Sequence, residues 1–113
     1  MSNLRNSVRL TGFLGADPEI KILGDKKKLA KVSIATSDSY KNDKGEKIEE
    51  TQWHNLVMWD RLANLAENYM RKGSEVSIEG KLNTRAYTDK EGIKRYFTEV
   101  LVNEVLLLGK KAV

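Results

Sequence analysis

Only one stretch of this chain spaces its apolar residues as a helix would, with three period-two segments before it and two after. Leu62, Leu65, Ala66, Tyr69 and Met70 fall at i, i+3, i+4, i+7 and i+8, so a helix would turn them to one side. Asp60 stands at the N-cap position, and Arg71 and Lys72 suit the negative C-terminal end. Gly73 can supply the left-handed residue that stops the helix.

The remaining segments read as strands. Val8, Leu10 and Leu14 alternate with Arg9, Thr11 and Phe13, and Gly12 and Gly15 interrupt them where a bulge or sharp bend suits a small barrel. Asp17-Pro18 makes a turn, Ile20 to Leu23 extends the strand, and Gly24-Asp25-Lys26 turns the chain again. A second strand is expected from about Lys28 to Tyr40, then a polar loop, then a third strand from about Lys47 to Trp59. After the helix, Val76, Ile78, Leu82, Thr84 and Ala86 share one parity of a fourth strand, while Lys81, Arg85 and Tyr87 share the other. A charged loop, Thr88 to Lys94, leads to a last strand from about Tyr96 to Leu108. This order predicts an all-β chain of the OB-fold type, a five-stranded Greek-key barrel with one helix between strands 3 and 4. One domain over residues 1–113 is expected, because a chain of this length buries roughly two-thirds of its unfolded surface without help from a disulfide or metal.

The inventory of reactive groups narrows the chemistry. There is no cysteine and one histidine, so neither a thiolate site nor a structural zinc site is expected, and no cofactor is called for. His54 sits within a strand with no serine–glycine elbow nearby, and reads as a packing or interface residue rather than a base. Glu49 and Glu50 are adjacent on a strand and point to opposite faces, so they do not converge on one metal ion as a nuclease would require. Gly12-Phe13-Leu14-Gly15 has the form of a KH-domain loop but lies in strand context. No enzyme is expected. No stretch approaches the roughly 20 apolar residues that span a bilayer, and Arg5 and Arg9 break any signal-peptide core, so a cytoplasmic protein is expected.

Lysine and arginine exceed aspartate and glutamate by 20 to 16, a mild excess of +4, so the placement of charge matters more than its sum. Trp53 and Trp59 share a parity with the polar Thr51 and Asn55, whereas Leu56 and Met58 on the other parity can face a core. Six residues at ~3.3 Å each separate the tryptophans by roughly 20 Å. On this strand alone, core and ligand-facing roles are equally open. Tyr40 beside Lys41, and Tyr87 on the same face as Arg85 and Lys81, tip the balance, since neither ring sits in an apolar run. Rings that stack on unpaired bases, beside cations that follow phosphates, are what sequence-neutral binding of a single strand needs. Lys26 to Lys28 reads as a solvated turn.

At this point the chain resembles the DNA-binding domain of the bacterial single-stranded DNA-binding protein (SSB) family, over about Asn6 to Leu108. The resemblance is carried by Val8-Arg9-Leu10-Thr11-Gly12-Phe13-Leu14-Gly15-Ala16-Asp17-Pro18-Glu19, Ile34-Ala35-Thr36-Ser37 and Thr51-Gln52-Trp53-His54-Asn55 with Val57-Met58-Trp59. It continues through Tyr69-Met70-Arg71-Lys72-Gly73-Ser74, Ile78-Glu79-Gly80-Lys81-Leu82 and Thr84-Arg85-Ala86-Tyr87-Thr88-Asp89. The resemblance implies binding of single-stranded DNA with little sequence preference, coating and protecting it in replication, recombination and repair, usually as a homotetramer. It implies stacking by Tyr40, Trp53, Trp59 and Tyr87, basic contacts from Lys31, Arg61, Arg71, Lys72 and Arg85, and His54 at a subunit interface. Tyr40 and Tyr87 stand where many members have tryptophan, and Asn55 and Asn83 where a basic residue is common. The chain ends at Gly109-Lys110-Lys111-Ala112-Val113, without the acidic, hydrophobic tip by which the family recruits replication and repair proteins, so recruitment by that route is not expected. A short adaptor resembling the dimeric primosome component, or an RNA-binding protein, would share the fold; the four separated rings favour coating of DNA over the adaptor role.

Overall fold

A computed structural model describes residues 4–24 and 26–110; Asp25 of the expected turn and the terminal Lys111 to Val113 lie outside them. The strands are β1 (Val8–Leu14), β2 (Glu19–Leu23), β3 (Lys27–Lys41), β4 (Lys47–Trp59), β5 (Ser74–Thr88) and β6 (Lys94–Lys110), with helix α1 (Arg61–Tyr69) between β4 and β5. The strand extension expected at Ile20 to Leu23 is a short strand of its own, paired along β3, so six strands are counted rather than five. The other five run β1–β5–β6–β4–β3, and β3 returns to β1 through Phe13↔Ala35 and Leu14↔Ile34. One parallel contact, Leu56↔Val100 and Val57↔Leu101, joins β4 to β6. The ring-like sheet has the OB-fold connectivity, in an all-β chain.

Closure depends on β1 reaching two neighbours at once. It pairs with β5 from Val8 to Phe13 and swings onto β3 at its end. Gly12 sits at the crossing, where a Cβ would lie 2.0 Å from the carbonyl oxygen of Ala35. Only a residue without a side chain lets the backbones approach so closely.

Inside the ring, alternate residues of each strand meet: Ala30, Val32 and Ile34 of β3, Leu56 and Met58 of β4, Val76 and Ile78 of β5, Val100 and Val102 of β6. Burying a side chain of this kind stabilises the fold by roughly 1.5–3 kcal/mol. One end of the ring is covered by α1, which buries Leu62, Ala63 and Ala66, with Met70 just beyond it. Two details of the helix differ from expectation. Tyr69 is 65% exposed and outside the core, while Ala63 is inside it. Asp60 makes no side-chain cap; it adopts φ 50°, and its carboxylate instead accepts the Lys28 backbone N–H at 3.3 Å. The helix ends at Met70 in an extended conformation, and the left-handed Gly73 lies in the turn that follows. Lys28 is not simply solvated, because its ammonium donates to Asn64 Oδ1 and Glu67 Oε1 on α1. No helix among the described residues is long and apolar enough to cross a membrane.

Beyond the ring, β3–β4 and β5–β6 continue as paired hairpin arms whose residues are mostly exposed. The molecule measures 56 Å along its longest axis and 32 Å along its shortest.

Candidate nucleic-acid interface

Strand alternation decides which side chains face outward over the ring. On β4, His54, Leu56 and Met58 turn inward, so Trp53, Asn55, Val57 and Trp59 turn out. Across the ladder they meet Ala35, Ser33, Lys31 and Leu29 of β3. The parallel contact sets Leu101 of β6 beside Val57, which brings Glu99 and Phe97 to the same face. The β5–β6 ladder then adds Lys81, Asn83, Arg85 and Tyr87, opposite Leu101, Glu99, Phe97 and Arg95. A single surface thus runs from β3 across β4 and β6 to β5.

All four expected rings are accessible: Tyr40 is 52% exposed, Trp53 60%, Trp59 38% and Tyr87 51%. Both tryptophans lie on the outer side of the sheet rather than in the core. The small Ala35 opposite Trp53 leaves room for the indole, which lies over Gly15; a Cβ there would meet ring atom Cζ3 at 2.4 Å. Gly15 is itself tied to β3 by its N–H to the Ser33 carbonyl at 3.1 Å. The ring therefore has a fixed seat, with more than half its surface free. Tyr40 differs. It pairs with Ile48 in an unshifted ladder and has the parity of Ile34 and His54, so alternation puts it on the opposite side of the sheet from Trp53. It stands on the projecting part of β3, where the surrounding residues are exposed.

The cations divide into two groups. Lys31, half-buried, and Arg85 belong to the face. The guanidinium of Arg85 lies 5.3 Å from the Phe97 ring centroid, and its Nε is 3.3 Å from Glu99 Oε1. Arg61 and Arg71 lie elsewhere, while Lys72 is tied to Asp17, which lines the same cleft as Lys31 and Arg85. Arg61, the first residue of α1, lines a separate open cleft of about 520 Å³ with Arg9, Glu79, Glu104 and Leu106. Arg71 donates from Nη1 to the carbonyls of Glu67 and Met70 at 2.8 and 2.6 Å, which satisfies the end of the helix as the sequence predicts. Lys72 is exposed, and its backbone N–H donates to Asp17 Oδ1 at 2.8 Å. His54, half-buried on the inward parity, is hydrogen-bonded through Nε2 to Thr36 Oγ1 at 3.2 Å.

Two residues of the face escape the sequence reading: Phe97 and Glu99. Both alternate with the buried Val100 and Val102 in β6, a parity visible in the chain, but only the register with β4 and β5 shows what they join. At the tip of the β5–β6 arm, Asp89 accepts from the backbone N–H groups of Glu91 and Ile93 and from Arg95 Nε, each at 2.9 Å. The Arg95 guanidinium foremost, then the Ile93 N–H, holds the Asp89 carboxyl below its ordinary value of 3.8.

The model of the single-strand binding protein family matches residues 5–108. "Single-stranded DNA-binding protein 1" of Xylella fastidiosa (strain 9a5c) is 45% identical over 107 residues, which cover 94% of this chain and 79% of that protein. Among solved structures, the "Plasmodium falciparum SSB complex with ssDNA" is similar with a TM-score of 0.84 at 30% identity, over 91% of this chain and 94% of that one.

Proposed function

The chain belongs to the single-strand binding protein family, and from that premise we propose how its outer face holds DNA. The protein binds single-stranded DNA with little sequence preference and acts by binding, not as an enzyme; its role is to coat and protect unpaired DNA in replication, recombination and repair. Trp53 and Trp59 stack on bases, Lys31 and Arg85 neutralise phosphates between them, Tyr87 extends the track along the β5–β6 arm, and Tyr40 serves a strand that wraps round the β3–β4 arm to its other side. Stacking is tolerant of sequence because every base has a π-face, and each ring contributes roughly 1–3 kcal/mol. Arg61 and Arg71 stand away from this face and serve only a strand that wraps beyond it, and Lys72 joins at the Asp17 end of the cleft. The observation that carries the assignment is the seated, exposed indole of Trp53, since a core tryptophan would be covered.

The residues act within one OB domain, which assembles as a homotetramer in the cytoplasm, associated with the nucleoid, with His54 at a subunit contact. Titration of intrinsic tryptophan fluorescence with oligo(dT), beside a duplex of equal length, tests the reading. Strong quenching by the single strand alone is expected. Binding without quenching would move the DNA off the tryptophan face.

A further inference from the structure

Glu99 is the one charged side chain that the fold buries among the described residues, at 8% exposure, and it lies on the face that must receive a polyanion. A carboxylate there repels phosphate and costs desolvation, so alternation and packing alone give no reason for it. Its ion pair, Oε1 to Arg85 Nε, uses one of about four acceptor positions.

The carboxylate sits in a cleft of about 290 Å³ that opens on the outer face, lined by Lys31, Asn55, Arg85, Phe97 and Glu99, with Asp17 and Glu19 also in its wall. At about 30 Å³ per water this is roughly ten waters' worth of space, enough for one nucleobase. The guanidinium of Arg85, held over Phe97 and half-exposed, presents a plane on which a base can stack. A base so placed turns its edge toward Glu99.

We propose that this cleft is a base subsite that favours guanine, with Glu99 as the residue that reads it. The inference rests on the DNA-binding reading of this face. In a single strand the Watson–Crick edge is free, and guanine offers two adjacent donors there, N1–H and the 2-amino group, matching the two oxygens of a carboxylate. Thymine offers one N–H flanked by two carbonyl oxygens, which a carboxylate repels. Asn55 can serve the remaining polar atoms of either base. The preference is local, one base per cleft, and on a long mixed strand the sequence-neutral stacking dominates.

The test uses short dT oligomers carrying one central dG, one central deoxyinosine, which lacks the 2-amino group, or none, with the wild-type protein and Glu99→Gln. Wild type should bind the dG oligomer about tenfold more tightly than all-dT, with deoxyinosine between them, as a good base-edge contact would give. In Glu99→Gln, checked for an unchanged thermal transition, the dG advantage should fall below about twofold. The analogue series on wild-type protein stands even if the variant fails to fold. Equal wild-type affinity for all three oligomers overturns the proposal, as does a variant that weakens all three alike; Glu99 would then only anchor Arg85. Failure of the wild type to bind any of the three would instead remove the DNA-binding reading, and this proposal with it.

Discussion

At the scale of single residues, two glycines of one strand segment do opposite jobs, and the atoms a side chain would strike separate them. At Gly12 the obstacle is the backbone carbonyl of Ala35, which cannot move without opening the β1–β3 closure. At Gly15 it is the outer edge of the Trp53 indole, a side chain with solvent on its far side. Gly12→Ala should therefore destabilise the fold by about 3 kcal/mol, the upper part of the range for overpacking. Gly15→Ala should cost under about 1 kcal/mol of stability, as surface changes do, yet lose much of the roughly 1–3 kcal/mol of one stacking ring. Thermal melts and oligo(dT) affinities measured on both variants separate the roles. A Gly15→Ala protein with full affinity would show that the indole does not need its seat.

At the scale of elements, the β5–β6 arm is held at its tip by Asp89, and this gives it an acid-sensitive point. The folded-state pKa of Asp89 lies below the ordinary 3.8, so its contribution is complete above that value and is lost as the pH falls through the depressed folded pKa. The amide shifts of Glu91 and Ile93, which donate to this carboxylate, should titrate together with a midpoint below 3.8, and Asp89→Asn should abolish the step. A midpoint at or above 3.8 would mean that the tip is not closed by this carboxylate. The elements also show how far the sequence could be read. The long strands and the outward tryptophans were legible, because alternation is a property of neighbouring residues. The cap at Asp60 was not: its carboxylate is taken by Lys28, 32 positions away, and no local pattern announces that. Phe97 and Glu99 were missed for a related reason: their partners Arg85 and Asn83, and the β4 strand beyond, are set by strand register rather than by any local pattern. Tyr40 has the exposure expected of it, but its side of the sheet follows from a ladder that runs without a bulge, which its place beside Lys41 does not announce.

At the scale of the whole molecule, a net charge of +4 is too small to hold DNA by itself, so the arrangement of cations should set the dependence on salt. Lys31, Lys81 and Arg85 stand on the outer face among the rings, and Arg95, opposite Tyr87, is already paired with Asp89. The other expected contacts are Arg61, which lines a separate cleft, Arg71, already engaged with the end of α1, and Lys72, beside Asp17 at the edge of the face. For a single strand, log affinity falls with log salt by roughly 0.7 per phosphate neutralised. The face alone therefore predicts a slope of about −2 per chain for a strand just long enough to span Trp53 and Trp59. Engagement of all six would give about −4. The first value is expected for the short strand, with Arg61→Ala leaving the slope unchanged. A longer strand that steepened the slope, and lost the added steepness in Arg61→Ala, would show DNA wrapping past α1 onto the far side of the molecule. A flat dependence at every length would mean that phosphates do not follow these cations, leaving stacking on the rings as the source of affinity.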